Sequence, residues 1–419
     1  MSKFVLWKIL HIDVSESLPN LMAEPNCQGL HLVFWWRGIP LGQQEILAEQ
    51  LPMPATELAH RVLQAITPAV RDRLGLKGQP DARAYNLQSL MALEAPLETM
   101  SQQLSNSQGE AKTVSLVICT RDRPDQLVNC LRSLQKLSQT LHEIIVVDNA
   151  PTSDSTRQLA AQFSEVHYLL EPRPGLSVAR NTGVRYSSGE IIAFTDDDVE
   201  VHPDWIIRLQ HSFSNPQVMA VTGLVLPAEL ATDSQVIFEK EFSGLHRGYC
   251  PLTFDAQFFN QTKNIGVPVW QIGAGANMAL RREAFNQVGY FDERLGAGAS
   301  GCSEDSEFWY RILAEGWLCL YEPAAVVYHY HRGNLATLQR QMYQYMKGHV
   351  AALLVQFNQY KHWGNLYRVL VSLPWYYTKL VFSGVFQGFQ NRYSTVFSEI
   401  LGYFSGLIFY LKNCSNKAY

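Results

Sequence analysis

The chain has 419 residues, 47% of them hydrophobic and 17% charged, which is too long for one ordinary core and too apolar for extended disorder, so two or three domains are expected. A formal net charge of −4 argues against nucleic acid as a main partner, because phosphate binding needs a basic stripe. Seven cysteines without a C-x-x-C pair read as buried thiols of a reducing compartment, not as a disulfide frame or zinc site.

The start, MSKFVLWKILHIDVSESL, lacks the basic stretch, apolar core and cleavage site of a signal peptide, so a cytoplasmic location is expected. Residues 1–75 hold a strand-like run, GLHLVFW (29–35), a Gly-Ile-Pro turn and an amphipathic helix over 56–74. They predict a small α/β domain with no chemical signature. Residues 76–112, richer in Gln, Ser and Gly, read as a linker with a helical stretch over 87–93.

From residue 113 short apolar runs alternate with helical stretches: TVSLVIC (113–119), EIIVVD (143–148), VHYLL (166–170), EIIAFTD (190–196) and VMAVTGLV (218–225). Between the first two, Leu127, Cys130, Leu131, Leu134 and Leu137 fall at helical spacing. Strands apolar on both faces and separated by helices predict a Rossmann-like, mostly parallel α/β sheet flanked by helices, over 113–333. Ligands of such sheets bind beyond the carboxyl ends of the strands. Those ends carry Thr120-Arg121-Asp122-Arg123-Pro124, Asp148-Asn149, the segment 171–177 with Arg180 and Asn181 after it, and Asp196-Asp197-Asp198. Three adjacent carboxylates raise one another's pKa unless a cation neutralises them. A hard divalent ion, Mn²⁺ or Mg²⁺, does so and also bridges a diphosphate. Side chains at i and i+2 face one ligand, which makes Asp196 and Asp198 the inward pair.

The segments SLVICTRDRPDQLVNCLRSL, EIIVVDN and PGLSVARNTGVRYSSGEIIAFTDDDVEVHPDWI, in this order, resemble the inverting family 2 glycosyltransferases of the GT-A fold, over about residues 114–331. The resemblance implies a nucleotide-diphosphate-sugar donor and a saccharide or lipid-linked acceptor. It implies that Thr120 and Arg121 sit beside the base, that Asp148 accepts hydrogen bonds from base or ribose, and that Arg180 and Asn181 lie near the base and diphosphate. Asp196 and Asp198 become the outer members of a DxD motif, Asp198 as direct metal ligand and Asp196 nearer the ribose. Asp197 lies between them with no defined role.

Downstream, the run 302–311 (CSEDSEFWYR) resembles the family's ED segment. An acceptor hydroxyl has a pKa far above 7, so a carboxylate must take its proton, and Asp305 is the candidate base. The other reading is Ser303 as a helix cap followed by an acidic first turn suited to the dipole. His329 and His331, in VVYHYHRG, are both candidates to help hold the metal or the diphosphate; His329 is placed in the metal set. The segment 272–279 is expected as pocket wall, and the glycine-rich 295–301 either as a loop closing over donor or as a plain surface loop.

Residues 334–419 predict a helical region. Its aromatic stretch over 367–411 is interrupted by Lys379, Arg392 and Glu399, so a spanning helix is not expected. Amphipathic helices on a membrane surface, or packing on the catalytic domain or a second subunit, both fit. Two rival functions remain from the sequence. A sugar nucleotidyltransferase would want a glycine-rich loop after the first strand, and TRDRPDQ has no glycine. A non-catalytic nucleotide-sugar-binding module would make Asp305 irrelevant.

Overall fold

The computed structural model describes residues 6–75, 93–105, 112–139 and 141–413; apart from residue 93, the helical stretch expected over 87–93 lies outside them. The N-terminal part is a three-stranded sheet. Strand β1 (Leu6–Asp13) runs parallel to β2 (Cys27–Trp36), which turns at Arg37-Gly38 into antiparallel β3 (Ile39–Leu47). The near-continuous apolar run of β2 has two partners, one per face. Leu30, Leu32 and Phe34 pack on Leu58, Val62 and Ile66 of the helix Ala55–Arg73. Val33 and Trp35 pack on Leu224, Leu226 and Val326 of the larger sheet. Within the stretch read as a linker, a helix at Glu94–Ser105 adds Leu97 and Met100 to the first of these cores.

The larger sheet is built from β4 (Val114–Thr120), β5 (Glu143–Asn149), β6 (Val166–Glu171), β7 (Ile191–Asp196), β8 (Val199–Val201), β9 (Val218–Pro227), β10 (Leu252–Phe254), β11 (Asn277–Arg281) and β12 (Leu318–His329). The spatial order is β10-β12-β9-β11-β7-β4-β5-β6, with β8 paired to β12. β4, β5, β6 and β7 are mutually parallel, as are β9 and β12. This is the α/β architecture expected, with three antiparallel strands in it: β11, from the segment read as pocket wall, lies antiparallel between β7 and β9, and the short β8 and β10 run antiparallel to β12. Helices cover both faces, among them Pro124–Leu134, whose Leu127, Cys130, Leu131 and Leu134 are buried.

Inserting β11 places a polar side chain at the centre of the sheet. Asn277 is fully buried; its Nδ2 donates to the carbonyls of Leu224 and Ala325, both at 2.9 Å, and its Oδ1 accepts from Trp205 Nε1 at 2.8 Å.

The C-terminal region is helical. The helix Leu335–Tyr360 packs along Val396–Asn413, and the run Trp363–Gln387, with a π-helical turn at Arg368–Ser372, closes a small core of Val350, Leu353, Val369, Leu373, Tyr377 and Tyr403. Gly402 and Gly406 permit this approach, since a Cβ at either would run into the carbonyl of Tyr343 or Lys347. By length and composition Trp363–Gln387 and Asn391–Asn413, with mean hydropathies of 1.2 and 1.3, are long and apolar enough to cross a membrane, despite the charged residues that argued against it. The six described cysteines are all free.

Asn277→Ala orphans three buried groups at once. Each costs about 1–3 kcal/mol, so urea unfolding should show a loss of about 3 kcal/mol or more; a loss under about 1 kcal/mol would mean the knot does not hold the sheet.

Candidate functional site

The carboxyl ends of β4, β5 and β7 and the end of β12 open onto one cavity of about 1520 Å³, whose walls include Thr120, Asn149, Asp196, Asp198, Asp305 and His329. The acidic triplet divides as the i, i+2 rule predicts. Asp196 and Asp198 converge with His329 so that one ligand atom from each lies within 4.8 Å of the others. Strand pairing explains the third member: β8 follows the triplet directly, and its Val199 is paired with His329 on β12, which sets the imidazole beside Asp198 with Nε2 3.4 Å from Oδ1.

Asp197 turns the other way. It accepts from Thr120 Oγ1 at 2.7 Å and from Arg123 Nη1 at 2.5 Å. Burial pushes its pKa up to about 6, against the pull of Arg123 and the Thr120 hydroxyl. Arg123 also reaches Asp198 at 3.1 Å, and Arg332 lies 3.4 Å from the same carboxylate. Although burial works the other way, His329, Arg123 and Arg332 hold Asp198 well below the usual carboxylate range.

A second acidic group faces the first. Arg180 is buried, with Nη1 2.6 Å from Glu304 Oε1 and Nη2 3.8 Å from Asp196 Oδ1. Burial pushes Glu304 up to about 7, with Arg180 opposing. Asp305 accepts from the Gly275 N–H at 2.8 Å and from the Ser306 N–H at 2.6 Å. A Cβ at Gly275 would meet Arg180 Nη2 at 2.9 Å and Asp305 Oδ2 at 3.0 Å, so a larger residue here would push both side-chain ends aside. Ser303 does not cap the helix Glu304–Ala314: its φ is 72° and its side chain makes no capping bond. Glu307 is instead engaged by Arg311, with Oε1 2.9 Å from Nε. The acidic first turn therefore splits between a structural pair and two carboxylates on the cavity wall.

The remaining sequence candidates fall in different places. Thr120 and Arg121 line the cavity, Arg121 half exposed. Asp148 does not: it is fully buried, with Oδ2 accepting from Tyr168 at 3.0 Å and Oδ1 without a partner, while its neighbour Asn149 reaches the wall. Asn181 is also turned away from the cavity and satisfied, its amide bonded to both backbone groups of Phe291 at 2.9 and 3.0 Å. Successive helix positions differ by about 100°, which sends Arg180 inward and Asn181 outward. His331 lies behind His329, with the Nδ1 atoms 3.0 Å apart, and its Nε2 meets Glu239 at 3.2 Å. The loop 295–301 is tethered: the Leu295 carbonyl accepts from Ser177, that of Ala297 from Leu176 N–H and that of Ala299 from Lys347.

Sequence reasoning did not single out Arg123, Arg332 or Glu304. Arg123 had a signal in TRDRPD, but the family resemblance pointed to Arg121. Asp122, between the two arginines, is left-handed (φ 54°), and Arg123 meets the triplet through Asp197 and Asp198.

Arg180→Met leaves Glu304 buried without its cation. The expected cost is about 3–5 kcal/mol in chemical denaturation, at least half of it recovered by adding Glu304→Gln. A cost under about 1 kcal/mol, or no recovery, would contradict this account of the pair.

The profile of glycosyl transferase family 2 matches residues 115–289. Glycosyltransferase AglE of Haloferax volcanii is 28% identical over 192 residues, 44% of this chain and 58% of that protein. The glucosyl-dolichyl phosphate glucuronosyltransferase of the same organism is 29% identical over 194 residues, 44% and 57% of the two chains. The succinoglycan biosynthesis protein ExoM of Rhizobium meliloti is 27% identical over 252 residues, 56% of this chain and 73% of that one. The chain thus spans little more than half the length of the two Haloferax relatives. Among solved structures, the mannosyltransferase of Pyrobaculum calidifontis in complex with GDP-Man and Mn²⁺ superposes with a TM-score of 0.51 at 16% identity, covering 79% of this chain and 97% of that one, a likeness of fold.

Proposed function

The chain carries a domain of glycosyl transferase family 2 in residues 115–289, and from that premise we propose that it transfers a sugar from a nucleotide-diphosphate donor to a hydroxyl acceptor, with inversion at the anomeric carbon. The observation that carries this reading is that Asp196, Asp198 and His329 gather within 4.8 Å on the same cavity as Asp305. The Haloferax and Pyrobaculum proteins, named for sugar transfer, support the class of reaction.

The donor set of two carboxylates and an imidazole fits a divalent cation, Mn²⁺ or Mg²⁺. Its span is close to the spread of about 3–4 Å expected around one octahedral ion with bonds of about 2.0–2.1 Å. When bound, such an ion neutralises charge developing on the leaving diphosphate. Asp198 and His329 would be the direct ligands, with Asp196 completing the set on the side of the ribose. Glu239 and His331 stand behind His329 and fix its ring, as outer partners of ligating histidines do. Arg332, 39% exposed at the cavity, is placed to meet the diphosphate. Thr120 and Arg121 flank the base, and Arg180 balances Asp196 and Glu304. Asp148 and Asn181 act one step back, Asp148 beneath the base-binding strand end and Asn181 by fixing the loop at Phe291. The Gly275 and Ser306 N–H groups fix the orientation of the Asp305 carboxyl, and its free lone pairs take the acceptor's proton as the hydroxyl attacks. A single base with direct displacement yields inversion.

Asp305→Asn is expected to lower nucleoside diphosphate release from the donor by about 10²–10⁴-fold while donor affinity, from calorimetry, stays within about twofold. Undiminished release would remove Asp305 as the base; lost donor binding would move it to the donor site.

A further inference from the structure

Beyond the acidic groups the cavity continues between the helix Leu335–Tyr360 and the run Trp363–Gln387. Gln341, Tyr345 and His349 line one wall and Arg368, Ser372 and Tyr376 the other, each set at the spacing of one helical face. Arg368 opens the π-helical turn, a feature that recurs at functional sites. Its guanidinium lies 4.0 Å over the Trp270 ring and donates to His349 Nε2 at 3.2 Å. Arg247 donates to the carbonyl of the same Trp270 at 2.5 and 3.0 Å. Among the described residues neither of these two guanidiniums, both largely buried, is paired with a carboxylate, while Arg340 stands exposed on the same cavity. Largely buried cations without counter-ions are costly, so this part of the cavity is built for an anion.

The outer surface of the same helices is apolar. On Val396–Asn413, Phe397, Leu401, Phe404, Ile408 and Leu411 recur every three or four residues and are all more than half exposed. Trp375, Phe382 and Phe386 extend the surface on Trp363–Gln387. The charge on this part of the chain decides what covers it. Residues 323–419 contain nine Lys or Arg and one acid, Glu399, in a chain of net charge −4, and Glu399 is buried against Arg392. A second copy of the chain would bring the same excess of positive charge in this region and be repelled. An anionic bilayer is attracted by the charge and takes the apolar stripes.

We propose that the outer half of the cavity binds the phosphate of a lipid-linked saccharide acceptor, held by Arg247, Arg340 and Arg368, while the lipid chain runs out along the exposed stripes into an anionic bilayer. The proposal rests on the glycosyl-transfer reading above. The saccharide hydroxyl gives its proton to Asp305, its oxygen bonds to the donor's anomeric carbon, and the bond from that carbon to the donor phosphate breaks with the electron pair leaving on the nucleoside diphosphate. The lipid phosphate is a handle and does not react.

Calorimetry on the full chain with farnesyl phosphate, farnesol and inorganic phosphate tests the site. Farnesyl phosphate should bind at least tenfold more tightly than either of the others. Arg368→Ala and Arg340→Ala should each weaken it at least fivefold, Arg368→Lys less, with nucleotide affinity unchanged. Equal binding of farnesol reduces the site to an apolar patch, equal binding of inorganic phosphate reduces it to a free-anion site, and unaffected variants remove the arginines; each overturns the proposal. In flotation the chain should follow phosphatidylglycerol vesicles and leave phosphatidylcholine vesicles; a stable dimer that floats with neither overturns the bilayer half. Failure of the glycosyl-transfer reading is separately visible, as farnesyl phosphate binding without any nucleotide binding.

Discussion

Five carboxylates share one partly dry cavity: Asp196, Asp197, Asp198, Glu304 and Asp305. Charge of one sign at this density raises every member's pKa unless cations lie among them, and the positions of the arginines follow from that constraint. Arg123 bridges Asp197 and Asp198, Arg332 flanks Asp198, and Arg180 sits between Asp196 and Glu304. Burial still leaves Asp197 at about 6 and Glu304 at about 7 in spite of these arginines. Residual negative charge beside an imidazole is what a divalent cation site requires, so the same arithmetic that stresses the native state supports the proposed chemistry.

The fold supplies the geometry by register. The parallel strands β4, β5 and β7 bring Thr120, Asn149 and Asp196 to one edge. The short β8 hooks back onto β12, so that His329 arrives beside Asp198 with no long-range loop involved. Antiparallel β11 carries the glycine segment into the sheet, where Gly275 closes on Arg180 and Asp305 and Asn277 ties β9, β12 and the Trp205 helix together. Behind this sheet β2 presents Val33 and Trp35 to β9 and β12, which accounts for the apolar second face of a strand in an otherwise uninformative N-terminal region.

Much of this was legible in the residues. The alternation of apolar runs with helical spacing defined the α/β sheet, and the i, i+2 rule separated Asp197 from its neighbours. Three things were not legible, each for a physical reason. The left-handed Asp122 precedes the Arg123 that meets the triplet, and a backbone reversal of that kind carries no periodic signal. The helical phase of Arg180 and Asn181 depends on which face meets the sheet, which the ARN run does not state. β11 has only five residues, too few for a period, and its antiparallel insertion follows from packing between β7 and β9. Asp148 shows the same limit: a strand-end carboxylate was expected at the ligand, whereas its side chain is buried against Tyr168 and its neighbour Asn149 reaches the cavity.

The central claim is that Asp196, Asp198 and His329 form one divalent cation site. Electron paramagnetic resonance of Mn²⁺ titrated into the full chain measures it without knowledge of the sugar. The account predicts one bound Mn²⁺ per chain, tightened by a nucleoside diphosphate and lost in Asp198→Asn. No bound Mn²⁺ in the unaltered chain even with nucleoside diphosphate present, or undiminished binding in Asp198→Asn, would contradict it.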